Sequence, residues 1–251
     1  FQYKSLVTSS IVNDNIKSIM SDNTFTVTTG HQLNIFTGPM YVIYKIVSVI
    51  KLSRMLSEKY PKYKFVPIYW MASEDHDFDE IKSFYSSGKT YSWDIESKGP
   101  VGNLNTEALK NIFDEDISIP DFFREAYSSS SSLSEAVRKY MNHLFGEYGL
   151  ITIDPNSKNL KKSISDIIVD DVVNNTIEKV EKSSEKISDV YVRKINFFFQ
   201  GSDFRERIDK TNKYNILSTN LSFTEKEIKD KIGSSPELFS PNVITRCLYQ
   251  Q

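Results

Sequence analysis

A short strand, a glycine-bounded turn and a long apolar helix follow one another up to Glu58, and this stretch constrains the fold more than any other. Phe25 and Val27 alternate with Thr26 and Thr28, the period of two expected of a strand over 25–29. Gly30 and Gly38 bracket a turn. Pro39 suits the first turn of a helix, where its missing N–H is no loss. The helix predicted over 39–58 carries Val42, Ile43, Ile46, Val47, Val49, Ile50, Leu52, Met55 and Leu56. Apolar residues nearly all round a helix predict burial rather than a surface position. Strand, turn and buried helix make the first unit of an α/β sheet, and ligands of such sheets sit at the carboxyl ends of the strands. That end here is Thr29-Gly30-His31-Gln32, facing a helix N-terminus that favours anions.

The remaining chain continues the pattern. Residues 1–20 read as the end of a helix marked by Ile11, Ile16 and Ile19. Tyr60-Pro61 closes the long helix. Phe65 to Ala72 is an apolar, aromatic run that reads as a second strand, although Pro67 inside it removes a ladder donor. Short alternations of Tyr, Trp and Gly over 83–104 predict a small antiparallel excursion. Residues 106–146 are helical in pattern, broken by Pro120 and the serine run 128–132, with Ser134 as a cap. Gly149 to Pro155 is a third strand, closed by Asp154 and a turn. An amphipathic helix or helix pair follows over 157–190. A hairpin about Gly201-Ser202, a strand over 214–217 and a helix over 225–232, boxed by Thr224 and Glu227, come next. Residues 240–251 read as the start of another element.

Two clusters carry chemistry. Glu74, Asp75, His76, Asp77, Asp79 and Glu80 crowd seven positions after the second strand. They fit a carboxylate–histidine set for acid–base work or for holding an ammonium group. They fit equally a solvated, acid-rich helix start, which the helix dipole favours. Their place after a buried strand favours the site. His31 and Gln32, in the Gly-bounded loop, fit phosphate or leaving-group contact, or a loop histidine bonded to backbone. Lys45 on the long helix either faces the site or snorkels. Arg193, Asn196, Asn242 and Arg246 punctuate apolar runs, and the planar fork of arginine suits carboxylates. His143 reads as structural, and Cys247 as unpartnered. No spacing matches a zinc pattern, so no metal is expected.

The totals exclude several classes. A net charge of −2 argues against a nucleic-acid binder that works through bulk positive charge. A single cysteine rules out an internal disulfide and a cysteine-rich zinc site, and fits the cytoplasm. No apolar run of about 18 residues marks a membrane span.

The motifs Thr29-Gly-His-Gln-Leu33, Phe36-Thr-Gly-Pro-Met-Tyr41 and Tyr44-Lys45, followed by Phe65-Val-Pro-Ile-Tyr-Trp-Met-Ala-Ser-Glu-Asp-His-Asp-Phe78, closely resemble the bacillithiol biosynthesis cysteine-adding enzyme (BshC) family. Leu144-Phe-Gly-Glu-Tyr-Gly-Leu-Ile151, Ile153-Asp-Pro155, Arg193-Lys-Ile-Asn-Phe-Phe198 and Ser240-Pro-Asn-Val243 continue the match in order. The resemblance covers nearly the whole chain, and its two N-terminal blocks are long and unusual. It implies an α/β fold: a Rossmann-like parallel sheet core with inserted α+β connecting segments at 83–146 and 191–235. It also implies that residues 1–251 are an incomplete core, lacking the second half of that core and a C-terminal coiled coil that makes homodimers. Cys247 stands where the family is expected to have proline.

The implied reaction is the last step of bacillithiol synthesis, amide formation between cysteine and the amine of glucosaminyl-malate. Free carboxylates need activation for that, and ATP or another nucleotide is the natural candidate. On this reading Gly30, His31, Gln32, Thr37, Gly38 and Lys45 line the anion or nucleotide end. Glu74, Asp75, His76 and Asp77 handle the amine and its proton. Arg193 and Arg246 are candidates for the malate carboxylates, and Asn196 and Asn242 for substrate or nucleotide contact. A rival reading is a non-catalytic nucleotide-binding or interaction module with the same fold.

Overall fold

The structure, a computed structural model, describes residues 1–249 apart from 5, 98, 116–117 and 177–191, with the backbone alone at 114, 115 and 247. It divides into two compact units, Phe1–Pro155 and Asn156–Gln251. The sequence reading treats the same residues as one core with insertions.

The first unit is built on three parallel strands, β1 (Thr24–Gln32), β2 (Lys64–Ala72) and β5 (Ile151–Ile153), in the order β1-β2-β5. The β1–β2 register runs from Thr24 opposite Lys64 to Gln32 opposite Ala72. Ile68–Trp70 of β2 pair with β5. The three expected strands are therefore parallel in one sheet. Central β2 is apolar along its length because both its faces are covered, as parallel sheets require. Pro67 is accommodated in this middle strand. It lies outside the short ladder to β5, and a proline is tolerated where its nitrogen faces a side with no partner.

Helix α2 (Met40–Lys59) crosses β1 and β2. Its buried face is Val42, Ile46, Val49, Ile50 and Ser53. Each large aliphatic side chain there contributes about 1.5–3 kcal/mol relative to exposure. The expectation of burial all round is corrected: Tyr44, Val47, Leu52 and Met55 are exposed on the opposite face. An apolar pattern without polar interruptions does not say how many sides of a helix find a neighbour.

Helix α1 (Ser10–Ser18) is shorter than the predicted 1–20 because Ser9 caps it, accepting from the Val12 N–H. The excursion after β2 is an antiparallel hairpin, β3 (Ser83–Ser86) with β4 (Lys89–Ser92). Ser87 and Gly88 turn it, both at positive φ (51° and 80°), as tight hairpins need. Helices α3 (Glu107–Glu115), α4 (Asp121–Ser128) and α5 (Leu133–Phe145) follow. The cap of α5 is Ser132, which accepts from the Glu135 N–H, rather than Ser134, which is buried in the first turn.

The second unit begins with α6 (Lys158–Ser163) and α7 (Ser165–Val172). The rest of the helix expected to residue 190 lies outside the described residues. A five-stranded antiparallel sheet follows, in the order β10-β6-β7-β8-β9. Its strands are β6 (Phe197–Gln200), β7 (Arg205–Lys210), β8 (Tyr214–Ile216), β9 (Ser222–Phe223) and β10 (Phe239–Pro241). The predicted hairpin about Gly201-Ser202 is β6–β7. Helix α8 (Glu225–Ser234) starts with the capping box of Thr224 and Glu227, and α9 (Val243–Tyr249) ends the described chain. Among the described residues no helix is long and apolar enough to cross a membrane.

Candidate active site at the strand ends

Because β1, β2 and β5 are parallel, their carboxyl ends lie at one edge of the sheet. Gly30, His31 and Gln32 are the last three residues of β1, not a loop as expected. The two glycines misled here: Gly30 continues the ladder opposite Trp70, and only Gly38, at φ 67°, turns the chain. A Cβ on Gly38 would also stand 2.7 Å from Asn34 Cγ, so the turn is close-packed.

Both ring nitrogens of His31 are engaged. Nδ1 lies 2.8 Å from the Gln32 carbonyl oxygen, and Nε2 lies 2.7 Å from the Tyr41 hydroxyl. A carbonyl only accepts, so Nδ1 carries the proton and Nε2 accepts from Tyr41 when the ring is neutral. Lys45 Nζ donates to the Gly30 carbonyl at 2.5 Å, at the carboxyl end of β1. Gln32 Nε2 donates to the Asp77 carbonyl at 3.1 Å, which ties the end of β1 to the cluster after β2.

That cluster is a shaped loop. Ser73 Oγ donates to Asp154 Oδ1 at 2.5 Å, joining the ends of β2 and β5. The Asp75 N–H donates back to Ala72, and Asp75 Oδ1 accepts from the His76 N–H at 2.8 Å. The turn over Val101–Asn103 fastens the loop from outside. There Gly102 N–H donates to the Ser73 carbonyl at 3.0 Å and Val101 N–H to the Asp75 carbonyl at 2.7 Å. His76 Nδ1 lies 3.0 Å from the Glu74 carbonyl oxygen. The same argument places a proton on Nδ1 of the neutral ring, with Nε2 the buried acceptor nitrogen. Glu74 is buried, Asp75 and His76 are half-buried, and Asp77 is exposed.

His76 and Asp77 line a cavity of about 660 Å³. Its other wall comes from the chain after β4, with Asp94 and Glu96, and its floor includes the fully buried Trp93. Among the described residues, the lining carries Asp77, Asp79, Asp94 and Glu96 against Lys82, which is paired with Asp79 at 2.6 Å. Such a lining favours a cation. Thr37 and Gly38 line a different cavity of about 540 Å³, with Glu80 and Ser83. The N-terminus of α2 beside it has no side-chain cap, which leaves its dipole open to an anion.

The second unit holds the remaining candidates. Asn196 and Asn242 work within the fold. Asn196 donates from its backbone and its amide to buried Asp171, at 2.7 and 3.0 Å. Asn242 Oδ1 caps α9 by accepting from the N–H groups of Ile244 and Thr245, and its amide donates to Asn196 Oδ1. Arg193 lines a cleft of about 380 Å³ with Lys194, Arg207, Lys210 and Asp209, a surplus of positive charge. Arg246 is exposed on α9. Among the described residues no group of three His, Cys, Asp or Glu side chains is placed to hold a metal.

Sequence reasoning named none of Tyr41, Gly102, Asp94, Glu96 and Asp154 as a site residue. Asp154 carried a signal, since it closes the third strand as the acids close the second. Gly102 and the 94–96 segment carried none, because their place is set by long-range docking onto the loop after β2.

Residues 1–251 match the family model described as "Bacillithiol biosynthesis BshC, N-terminal Rossmann-like domain". Among curated relatives, proteins of Flavobacterium psychrophilum and Flavobacterium johnsoniae are 42% and 40% identical, over all of this chain and 50% of their own length. One of Cytophaga hutchinsonii is 42% identical over 99% of this chain and 49% of its own. Each is provisionally named a cysteine ligase, BshC. The chain spans about half the length of these relatives. Its parallel sheet, its strand-end motifs and these matches together assign it to the bacillithiol biosynthesis BshC family, as an N-terminal Rossmann-like domain.

Proposed function

We propose that this chain carries catalytic groups of a ligase that joins cysteine to the amine of glucosaminyl-malate by an amide bond, the last step of bacillithiol synthesis. The observation that carries the reading is His76, whose Nδ1 is held by the Glu74 carbonyl, on the wall of a cavity whose described lining is rich in carboxylates. An amine arrives as an ammonium ion. Asp77, Asp94 and Glu96 attract it, and His76 takes the proton that it must lose before attack. The nitrogen then bonds to the activated carboxyl carbon of cysteine, and the activating group departs with the electron pair.

Activation is assigned to ATP or another nucleotide. The uncapped start of α2 and the Thr37-Gly38 turn favour an anionic group at the other end of the site. Carboxylate recognition is assigned to Arg193 and Arg246, of which Arg193 has the more cationic surroundings. Homodimerisation and a cytoplasmic location are part of the same proposal.

The test is incubation of the full-length protein with glucosaminyl-malate, cysteine and ATP, with the product identified by mass. A new thiol whose mass is the sum of both substrates less water supports the reading. Binding without turnover, in a folded protein, favours the non-catalytic module.

A further inference from the structure

Phe36 has a backbone that its residue type disfavours. Its φ is 57°, in the left-handed region that bulky L-residues rarely enter. The position is over-determined from two sides. The Phe36 ring packs against Phe84, Phe113, Phe123 and Tyr127, with centroids 4.8 to 5.9 Å away. Its peptide groups are held by two buried phenols from the helical segment. The Phe36 N–H donates to Tyr127 Oη at 2.7 Å, and the Tyr140 hydroxyl donates to the Phe36 carbonyl.

The two phenol rings also pack against each other, with centroids 5.9 Å apart. Each hydroxyl has one proton to give. Tyr140 gives its proton to the Phe36 carbonyl, with the Asn34 carbonyl 3.4 Å from the same hydroxyl, while Tyr127 accepts from the Phe36 N–H. Residue 36 is thus held at both of its peptide groups, the N–H by Tyr127 and the carbonyl by Tyr140. Tyr127 and Tyr140 are fully buried, so no water competes for these bonds.

Residue 36 immediately precedes Thr37 and Gly38, after which α2 begins, and the first turn of α2 carries the Tyr41 that bonds His31. We propose that Tyr127 and Tyr140 are positioning residues: by locking the left-handed Phe36 they fix the Thr37-Gly38 turn and the start of α2 against the end of β1. This rests on the reading of the strand ends as a catalytic site.

The test uses Tyr127→Phe, Tyr140→Phe and the double variant in the full-length protein. Each removes a hydroxyl and keeps the ring that packs in the core. Hydrogen exchange should rise at least about tenfold at 34–41 while β2 and α5 keep their protection. In folded variants kcat/KM for the ligase reaction should fall about ten- to a hundredfold, the scale of a small misplacement of binding groups. The double variant should lose more than either single one, because the two phenols hold different peptide groups of residue 36. A merely structural role would lower the melting temperature and raise exchange throughout the first unit, with kcat/KM per folded molecule unchanged. That result overturns the proposal. If the unaltered protein forms no product, the functional reading fails separately. The exchange pattern then decides the clamp: loss confined to 34–41 upholds it, and loss spread over the unit, or none, refutes it.

Discussion

Gly102→Ala asks whether the loop after β2 must sit where it does. An ideal Cβ at residue 102 would stand 2.6 Å from Ser73 Cβ, 2.8 Å from the Ser73 carbonyl oxygen and 3.1 Å from Ser73 Cα. Carbon atoms in contact prefer about 3.5–4.0 Å, so relief requires a shift of roughly 1 Å. None of these neighbours is a flexible tip that can swing aside. Ser73 is anchored to Asp154, and the same turn holds Asp75 through the Val101 N–H. The shift must pass into the segment that carries Asp75 and His76. Overpacking of this kind costs about 1–3 kcal/mol. At about 2–4 °C per kcal/mol for a unit of this size, the melting temperature should fall by roughly 2–12 °C. A displacement of about 1 Å in a positioning element costs on the order of a hundredfold in rate. The assay is thermal melting together with kcat/KM for ligation by the full-length protein. A variant that melts and turns over like the unaltered protein would refute the close docking of this turn and its bearing on the site.

Two further outcomes follow from the second unit. Gly233 lies in α8 with nothing within 4 Å of where a Cβ would stand, so Gly233→Ala should stabilise by about 0.8–1.0 kcal/mol in a denaturant melt; destabilisation would contradict the open surroundings. Burial raises the Asp171 carboxyl above its usual 3.8, against the opposing bonds from Asn196. A group raised in the folded state binds its proton more tightly there, so its contribution to stability is lost as pH climbs from 3.8 through the folded value. Asp171→Asn should remove that part of the pH slope, whatever its absolute stability, and an unchanged slope in denaturant melts from acid to neutral pH would contradict the assignment.

The parallel sheet was legible because its signals are local. Alternation at 25–28, an apolar run at 65–72 and an acid-closed strand at 149–155 each mark a strand, and the helix between the first two dictates a parallel pair. The end of β1 was less legible: Gly30 reads as a breaker, yet here it lies flat against Trp70 within the ladder. Lys45 was ambiguous because its partner, the Gly30 carbonyl, is a backbone group that side-chain chemistry does not advertise. The His31 and His76 tautomers follow from carbonyls one and two residues away, visible only once the chain is folded. Asp94, Glu96 and Gly102 reach the cluster through a docking that no periodicity encodes. For Asn196 and Asn242 the residue type was read as recognition, whereas their amides tie Asp171, the start of β6 and the cap of α9 together.

The most direct test of the central claim is ligation measured in full-length His76→Ala and Asp75→Asn proteins, with folding checked by thermal melting. If His76 takes the proton of the attacking amine, and Asp75 holds its backbone in place, His76→Ala should lose about two to four powers of ten in rate while remaining folded. Asp75→Asn should lose less, because an amide oxygen still accepts from the His76 N–H. Both variants folded and fully active would remove the strand-end cluster from the chemistry and leave the family likeness to support the fold alone.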